Sequence, residues 1–444
     1  MQRSLVGSEM CIRDRYIHCN PVATIFLLAV TFITYFAALL IERQDAYGRK
    51  KYLISIGVLL AFLPLLLFKY YKFLSSILTD VLAVVGMEKP LPGLNWVVPL
   101  GISFFTFQAV GYLWDVYYRR TKAEHNWWDY MLFVGFFPQI ASGPISKAND
   151  LLPQIKANRR FDSEQVTQGF RLFLWGMFLK VVMADRLGLL VDSIYKNYEY
   201  SSGTTCILAA ILYSFQIYGD FAGYSTMAVG VGKMLGFDLV NNFRRPYLAA
   251  SVTEFWRRWH ISLTRWLTDY VYIPLGGSRC SKLRNYSNIM VTFLVSGIWH
   301  GANWTFIVWG LLHGAFQTVE KVFHLQKCEN KSVRLFRIVV TFALVSLAWV
   351  FFRMPSLEQA WAVMAKMFTC SGPMALTATN SQKLILAFAL MTVVLADLIA
   401  EFYPKFSLLG NRYMPVRWLT YLFLICSIVL CGVLDAGSFI YVSF

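Results

Sequence analysis

Residues 22–41 read VATIFLLAVTFITYFAALLI, an uncharged run followed at once by Glu42 and Arg43. A helix of about 20 such residues spans the hydrocarbon core of a bilayer, which is ~30 Å thick. The run is too long for the apolar region of a signal peptide, and charged residues stand where a small-residue cleavage site would be. It reads as a retained membrane span. Outward from it, further apolar runs occupy Tyr52–Phe68, Val97–Tyr117, Phe170–Val191, Thr204–Tyr218, Ile289–Trp299, Trp304–Phe316, Ile338–Phe352, Leu384–Ile399 and Trp418–Leu434. Several are short or carry a charge, and apolar segments of only ~10–14 residues re-enter or stay buried rather than cross. The expected fold is all-α: a polytopic transmembrane helical bundle of about 8–11 spans with re-entrant and interfacial helices.

Composition agrees. The chain has 444 residues, 57% hydrophobic and 15% charged, against about 25% charged for a soluble domain. The net charge of +16 fits cytoplasmic Lys and Arg under the positive-inside rule, so nucleic acid is not the expected partner. Clusters such as Arg49, Lys50, Lys51 and Arg119, Arg120, Lys122 sit beside apolar runs, where they attract anionic lipid headgroups from the cytoplasmic side. Eight cysteines without a C-x-x-C spacing define neither a disulfide framework nor a metal site. Residues 1–15, MQRSLVGSEMCIRDR, are polar, lack a helical stripe and read as a non-native leader. Residues 16–444 read as a single membrane domain.

The longest informative polar stretch begins SVTEFWRRWHISLTRWLTDYVYIPLGG at Ser251. Ser251 and Glu254 form the S-x-x-E pattern that opens a helix, and Glu254 supports Arg258 at i,i+4. Trp256, Trp259 and Trp266 are rings of the kind that sit at membrane interfaces, so the segment is expected to lie along the interface, ended by Pro274, Gly276 and Gly277. On one continuous helix Arg257, His260 and Thr264 share a face. The arginines Arg257, Arg258 and Arg265 suit either phosphate or carboxylate recognition or an anionic lipid surface.

His300, in FLVSGIWHGANWTF, is an ionisable residue at the end of an apolar run. Such a residue is either a functional group or satisfied by helix packing; a neutral imidazole there can take a hydroxyl proton and return it to a leaving group. Gly297 and Gly301, and Gly310 and Gly314 around His313, have the small-xxx-small spacing that lets helices approach closely. His313 reads as packing. Asp220, alone in SFQIYGDFAGYST, can orient a histidine, bind substrate or pair with a cation for structure. The chain has no G-x-x-x-x-G-K-[ST], H-E-x-x-H or G-x-S-x-G, so P-loop, zincin and α/β-hydrolase chemistries lack their usual signals.

The strings PLGISFFTFQAVGYLWDVYYR, FPQIASGPI, FQIYGDFAGYSTMAVG, RRPYLAASVTEFWRRWHISLTRWLTDYVYIPLGG and SGIWHGANWTFIVWGLLHG resemble the membrane-bound O-acyltransferase superfamily. They are most similar to its branch of alginate O-acetyltransferase membrane subunits, with the teichoic-acid D-alanyl transferases more distant. The resemblance implies a helical bundle with re-entrant segments and a site reached from both sides of the membrane. It implies two functional histidines, His260 and His300, the second catalytic. Arg257, Arg258, Asp220 and Trp299 are then the candidates for contact with donor or substrate. It also implies that no cofactor is bound, that acetyl-CoA or another acyl thioester is the donor, and that an exported polysaccharide is the acceptor. A periplasmic or extracellular acyltransferase is the expected partner and the bacterial inner membrane the expected location. D-alanyl transfer to teichoic acid, or transport of polysaccharide or lipid, are the competing functions. Relatives usually carry another span or two before Val22, so the chain reads as N-terminally truncated. Their usual D-F-S-G-Y-S-D stands here as Asp220, Phe221, Ala222, Gly223, Tyr224, Ser225, Thr226.

Overall fold

A computed structural model describes residues 21–84, 99, 101–140, 143–325, 330–369, 371–376 and 378–433. The 1–15 leader and Leu434 lie outside the described residues. Among the described residues every regular element is helical, as a chain that must satisfy its backbone polar groups in lipid requires. The chain divides into two compact units at Arg160/Phe161.

In the first unit, α1 (Pro21–Arg43), α2 (Tyr47–Leu65) and α4 (Ile102–Tyr117) pack together, while α3 (Tyr71–Val84) continues α2 through a π-helical turn at Leu66–Tyr70. The Tyr52–Phe68 run is thus the middle of a longer helical stretch, Tyr47–Val84. Gly57 sits where a Cβ would lie 3.0 Å from the Cβ of Ala37, which sets the close approach of α2 to α1. Polar groups on these helices find partners: Tyr35 donates to the His125 carbonyl at 2.6 Å, and the hydroxyl of Tyr130, on α5 (Trp127–Val134), donates to Thr34 at 2.8 Å. Two short helices, α6 (Phe137–Ile140) and α7 (Ala148–Lys156), complete this unit.

The second unit, Phe161–Phe444, carries the candidate site residues. Helix α8 (Ser163–Met177) runs through a π-helical stretch, Phe178–Ala184, into α9 (Asp185–Lys196), and packs along α10 (Gly203–Met234). The sequence marks a span only over Thr204–Tyr218, yet α10 continues for 32 residues, through Asp220. It can do so because Lys180 donates to Asp220 at 2.6 Å and to Asp185 at 2.6 Å, so a carboxylate in an otherwise apolar wall is paired. Glycines close this seam: a Cβ on Gly176 would lie 2.6 Å from the Gly223 carbonyl oxygen, and one on Gly169 the same distance from that of Gly230. Forcing extra methylenes into such a contact costs about 1–3 kcal/mol or more. Gly223→Leu, whose Cβ would meet the Gly176 carbonyl oxygen at 2.8 Å, is expected to lower the melting temperature of the detergent-solubilised protein by several degrees, with Gly48→Ala, whose Cβ meets nothing within 4 Å, as the neutral control.

Helix α11 (Val252–Arg258) and α12 (Ile261–Leu267) follow, then the hairpin of α13 (Lys282–His300) and α14 (Trp304–Val322). The small-residue pattern closes this hairpin too, because Gly297 and Gly310 face each other with a Cβ on either lying 3.2–3.3 Å from the other's Cα. Then come α15 (Lys331–Arg353), α16 (Leu357–Thr369), α17 (Asn380–Phe402) and α18 (Met414–Cys431). Among the described residues, six helical stretches are long and apolar enough to cross a membrane. Only 17% of the apolar window of α17 and 11% of that of α18 is buried in the protein, against 78% for α10, so α17 and α18 leave most of their apolar window uncovered whereas α10 is an interior helix.

Candidate active site

The segment from Ser251 is two helices rather than one. Ser251 caps α11, its hydroxyl accepting from the Glu254 N–H at 3.0 Å, and Glu254 reaches back to the Ala250 N–H at 2.9 Å, one residue before the position a capping box uses. Glu320 on α14 also accepts from the backbone N–H groups of Val252 and Thr253, so the start of α11 is held by carboxylates, which its positive end favours. The helix stops at Arg258. His260 then takes φ 44°, ψ 53°, left-handed backbone that costs a non-glycine residue about 1–2 kcal/mol, and α12 starts at Ile261. With this break Arg257, His260 and Thr264 do not share a helical face. The tryptophans do not line an interface either: Trp256, Trp259 and Trp266 are buried, and Trp259 has no exposed surface. Phe243, Phe255 and Trp349 surround Trp259 with ring centroids 5.0–5.4 Å away, and that burial outweighs any interfacial preference.

The fold brings the two histidines of the W-H strings together. His300 is the last residue of α13 and His260 the junction of α11 and α12; their ring centroids lie 6.4 Å apart, and both rings are buried. Trp299 bridges them, 5.8 Å from His260 and 4.8 Å from His300. Phe221 of α10 meets the His260 ring edge-to-face at 4.6 Å. Trp309 and Phe352 flank His300 at 4.9 and 5.4 Å, nearly perpendicular to it. Burial pushes the His260 imidazole down to about 3, so this ring is neutral at pH 7 and can accept or donate a hydrogen bond. His300 stands at the carbonyl end of α13, walled by aromatic rings.

The other candidates are placed as follows. Arg258 is held in an ion-pair network, with Glu254 at 2.6 Å and Glu401 of α17 at 3.0 Å, and Arg245 also reaches Glu401 at 3.1 Å. Arg257 is exposed at the last turn of α11 and forms no ion pair among the described residues. Asp220 takes the Lys180 ammonium as a partner. Sequence reasoning did not single out Phe221, Trp309 or Phe352, whose place around the histidines is set by contacts between distant helices.

His313 is a packing residue in this geometry. Its Nδ1 accepts from the Trp256 indole N–H at 3.2 Å, and its ring lies 5.0 Å from Trp309, which separates it from His300. His313→Ala is therefore expected to lower acyl transfer less than His300→Ala, by about tenfold at most, with a loss of about 2–3 kcal/mol of stability from the cavity and the orphaned indole. Activity and melting temperature measured on the same preparation separate the two, and a loss as complete as that of His300→Ala contradicts the assignment.

A multi-pass helical membrane protein that buries two imidazoles around one tryptophan holds groups able to take up and return a proton, as a membrane enzyme needs. The comparisons place it within that class. Residues 23–354 match MBOAT, the membrane-bound O-acyltransferase family, and the chain belongs to it. It is 38% identical to a "probable alginate O-acetylase" of Azotobacter vinelandii over 79% of this chain and 69% of that one. It is 35% identical to a peptidoglycan O-acetyltransferase of Helicobacter pylori over 78% and 70% of the two chains. A teichoic acid D-alanyltransferase of Bacillus subtilis is 26% identical over 73% and 85%. The protein is an O-acyltransferase that crosses the membrane several times.

Proposed function

We propose that this enzyme takes an acetyl group from a cytoplasmic thioester, acetyl-CoA, and passes it outward for O-acetylation of an exported polysaccharide at the inner membrane of a bacterium. A periplasmic or extracellular acyltransferase completes the transfer. The observation that carries the reading is the pair of buried imidazoles around Trp299. In the proposed step His300 accepts the proton of an acceptor hydroxyl as its oxygen bonds to the thioester carbonyl carbon, leaving an acetyl ester on that oxygen from which the partner acyltransferase carries the group to the polysaccharide. His260 hydrogen-bonds the carbonyl oxygen as it becomes negative, the C–S bond breaks, and the proton passes to the departing thiolate. No metal is required. The relatives named for alginate and peptidoglycan support a glycan hydroxyl as acceptor, and their higher identity than that of the teichoic acid D-alanyltransferase favours acetyl over D-alanyl transfer.

The test is thiol release in membrane vesicles with the cytoplasmic face outward, supplied with acetyl-CoA or with a D-alanyl carrier protein. Turnover with acetyl-CoA alone is expected; turnover only with the carrier protein moves the enzyme to D-alanyl transfer. Arg257, exposed in the last turn of α11 beside Arg258, is assigned to the donor's phosphates. Arg257→Ala is expected to raise the KM for acetyl-CoA about tenfold, the equivalent of ~1.4 kcal/mol, with the limiting rate restored at excess donor. If excess donor does not restore the rate, Arg257 is not a donor contact. Arg258 and Asp220, paired with Glu401 and Lys180, are proposed to shape the donor site through those pairs.

A further inference from the structure

The left-handed turn at His260 poses a problem of local structure. Helix α12 starts at Ile261, and the first N–H groups of any helix need acceptors from outside it. The residue in the capping position is His260, and its side chain makes no capping hydrogen bond. An imidazole that capped its own helix could not be aimed at a substrate.

We propose that Asn242 is a positioning residue for His260, supplying from a separate loop the helix cap that His260 itself does not. The Asn242 backbone carbonyl accepts from Ile261 N–H at 3.0 Å, and its side-chain Oδ1 accepts from Ser262 N–H at 3.1 Å. On the other side of the histidine, Arg244 N–H donates to the Arg258 carbonyl at 2.9 Å. The backbone is therefore fixed both before and after residue 260, with φ 44° and ψ 53° between. The amide is itself anchored: Asn242 Nδ2 donates to Ser225 Oγ at 3.0 Å, and both side chains are buried. Ser225 stands on α10 one turn beyond Phe221, the ring that meets His260 edge-to-face. One helix thus sets the imidazole's stacking partner and, through Asn242, its backbone. The requirement is for two polar atoms on one side chain, one to accept from Ser262 N–H and one to pair with Ser225 Oγ, which asparagine meets and an apolar residue of that size does not.

The proposal rests on the reading that His260 takes part in the transfer. It is tested by a double-mutant cycle in the same membrane vesicles with acetyl-CoA, with rates normalised to the protein present. Asn242→Ala is expected to lower the limiting rate about 10- to 30-fold while the donor KM stays within about twofold, and in a His260→Ala background to change the rate less than about twofold, because residues acting through one another are not additive. Asn242→Asp keeps the acceptor for Ser262, and its second oxygen can accept the Ser225 hydroxyl, so it is expected to recover to within about threefold of the parent. Ser225→Ala is expected to show a smaller loss of the same kind. Two results overturn the proposal: Asn242→Ala within twofold of the parent, or a loss that multiplies unchanged onto His260→Ala. If Asn242→Ala does not accumulate in the membrane, Asn242→Asp and Ser225→Ala in the two backgrounds decide by the same criterion. If His260→Ala alone is fully active, the reading of His260 has failed and takes this proposal with it; if His260→Ala is impaired and the losses multiply, only the role of Asn242 fails.

Discussion

His300→Ala lowers acyl transfer by about 10³-fold, within the range expected for loss of a general base, while the amount of protein in the membrane changes little. The imidazole is buried between Trp299, Trp309 and Phe352. The backbone survives the change because α13 ends there in any case, and the hairpin to α14 is closed by Gly297 against Gly310. The alanine leaves a cavity among aromatic rings, worth about 2–3 kcal/mol, which lowers the melting temperature without preventing folding. His300→Gln, which retains hydrogen bonding but cannot shuttle a proton, is expected to be as inactive as the alanine. An active glutamine variant points to binding rather than proton transfer.

His260→Ala has the second largest effect, a fall of about 10²-fold in the limiting rate, the magnitude of losing one donor to a developing oxyanion. The ring is neutral at pH 7, its imidazole pushed down to about 3 by burial. The effect is therefore expected to be nearly the same from pH 6 to pH 8, since the group does not titrate there. A loss that appears only below pH 6 would contradict a neutral donor at this position. His260→Ala also relieves no backbone strain, because alanine meets the same left-handed penalty at φ 44°.

The membrane character was legible in the sequence from uncharged runs of span length, and the two histidines singled out by the family resemblance are the ones the fold brings to 6.4 Å. The small-xxx-small spacing of Gly297 with Gly301 and of Gly310 with Gly314 marked a close approach of helices, and the structure places Gly297 against Gly310. What the sequence concealed was set by distant chain. The stretch from Trp256 to Trp266 has no proline or glycine to mark the break at His260, and the hydrogen bonds that hold the break come from Asn242 and Arg244. The same tryptophans read as interfacial until Tyr218, Phe243 and Trp349 are seen against Trp259. Arg258 read as a donor contact because its second carboxylate, Glu401, lies 143 residues away on α17. Asp220 masked the continuation of α10, since the lysine that pairs with it belongs to the π-helical stretch after α8.

The most direct test of the account is the ester content of the exported polysaccharide from cells producing the parent chain or His300→Ala at equal membrane levels. The account predicts normal polymer yield with acetyl ester reduced to the level of cells lacking the protein. Polymer that carries its full ester content in the His300→Ala strain would contradict it, and so would loss of the polymer itself with ester unchanged on what remains.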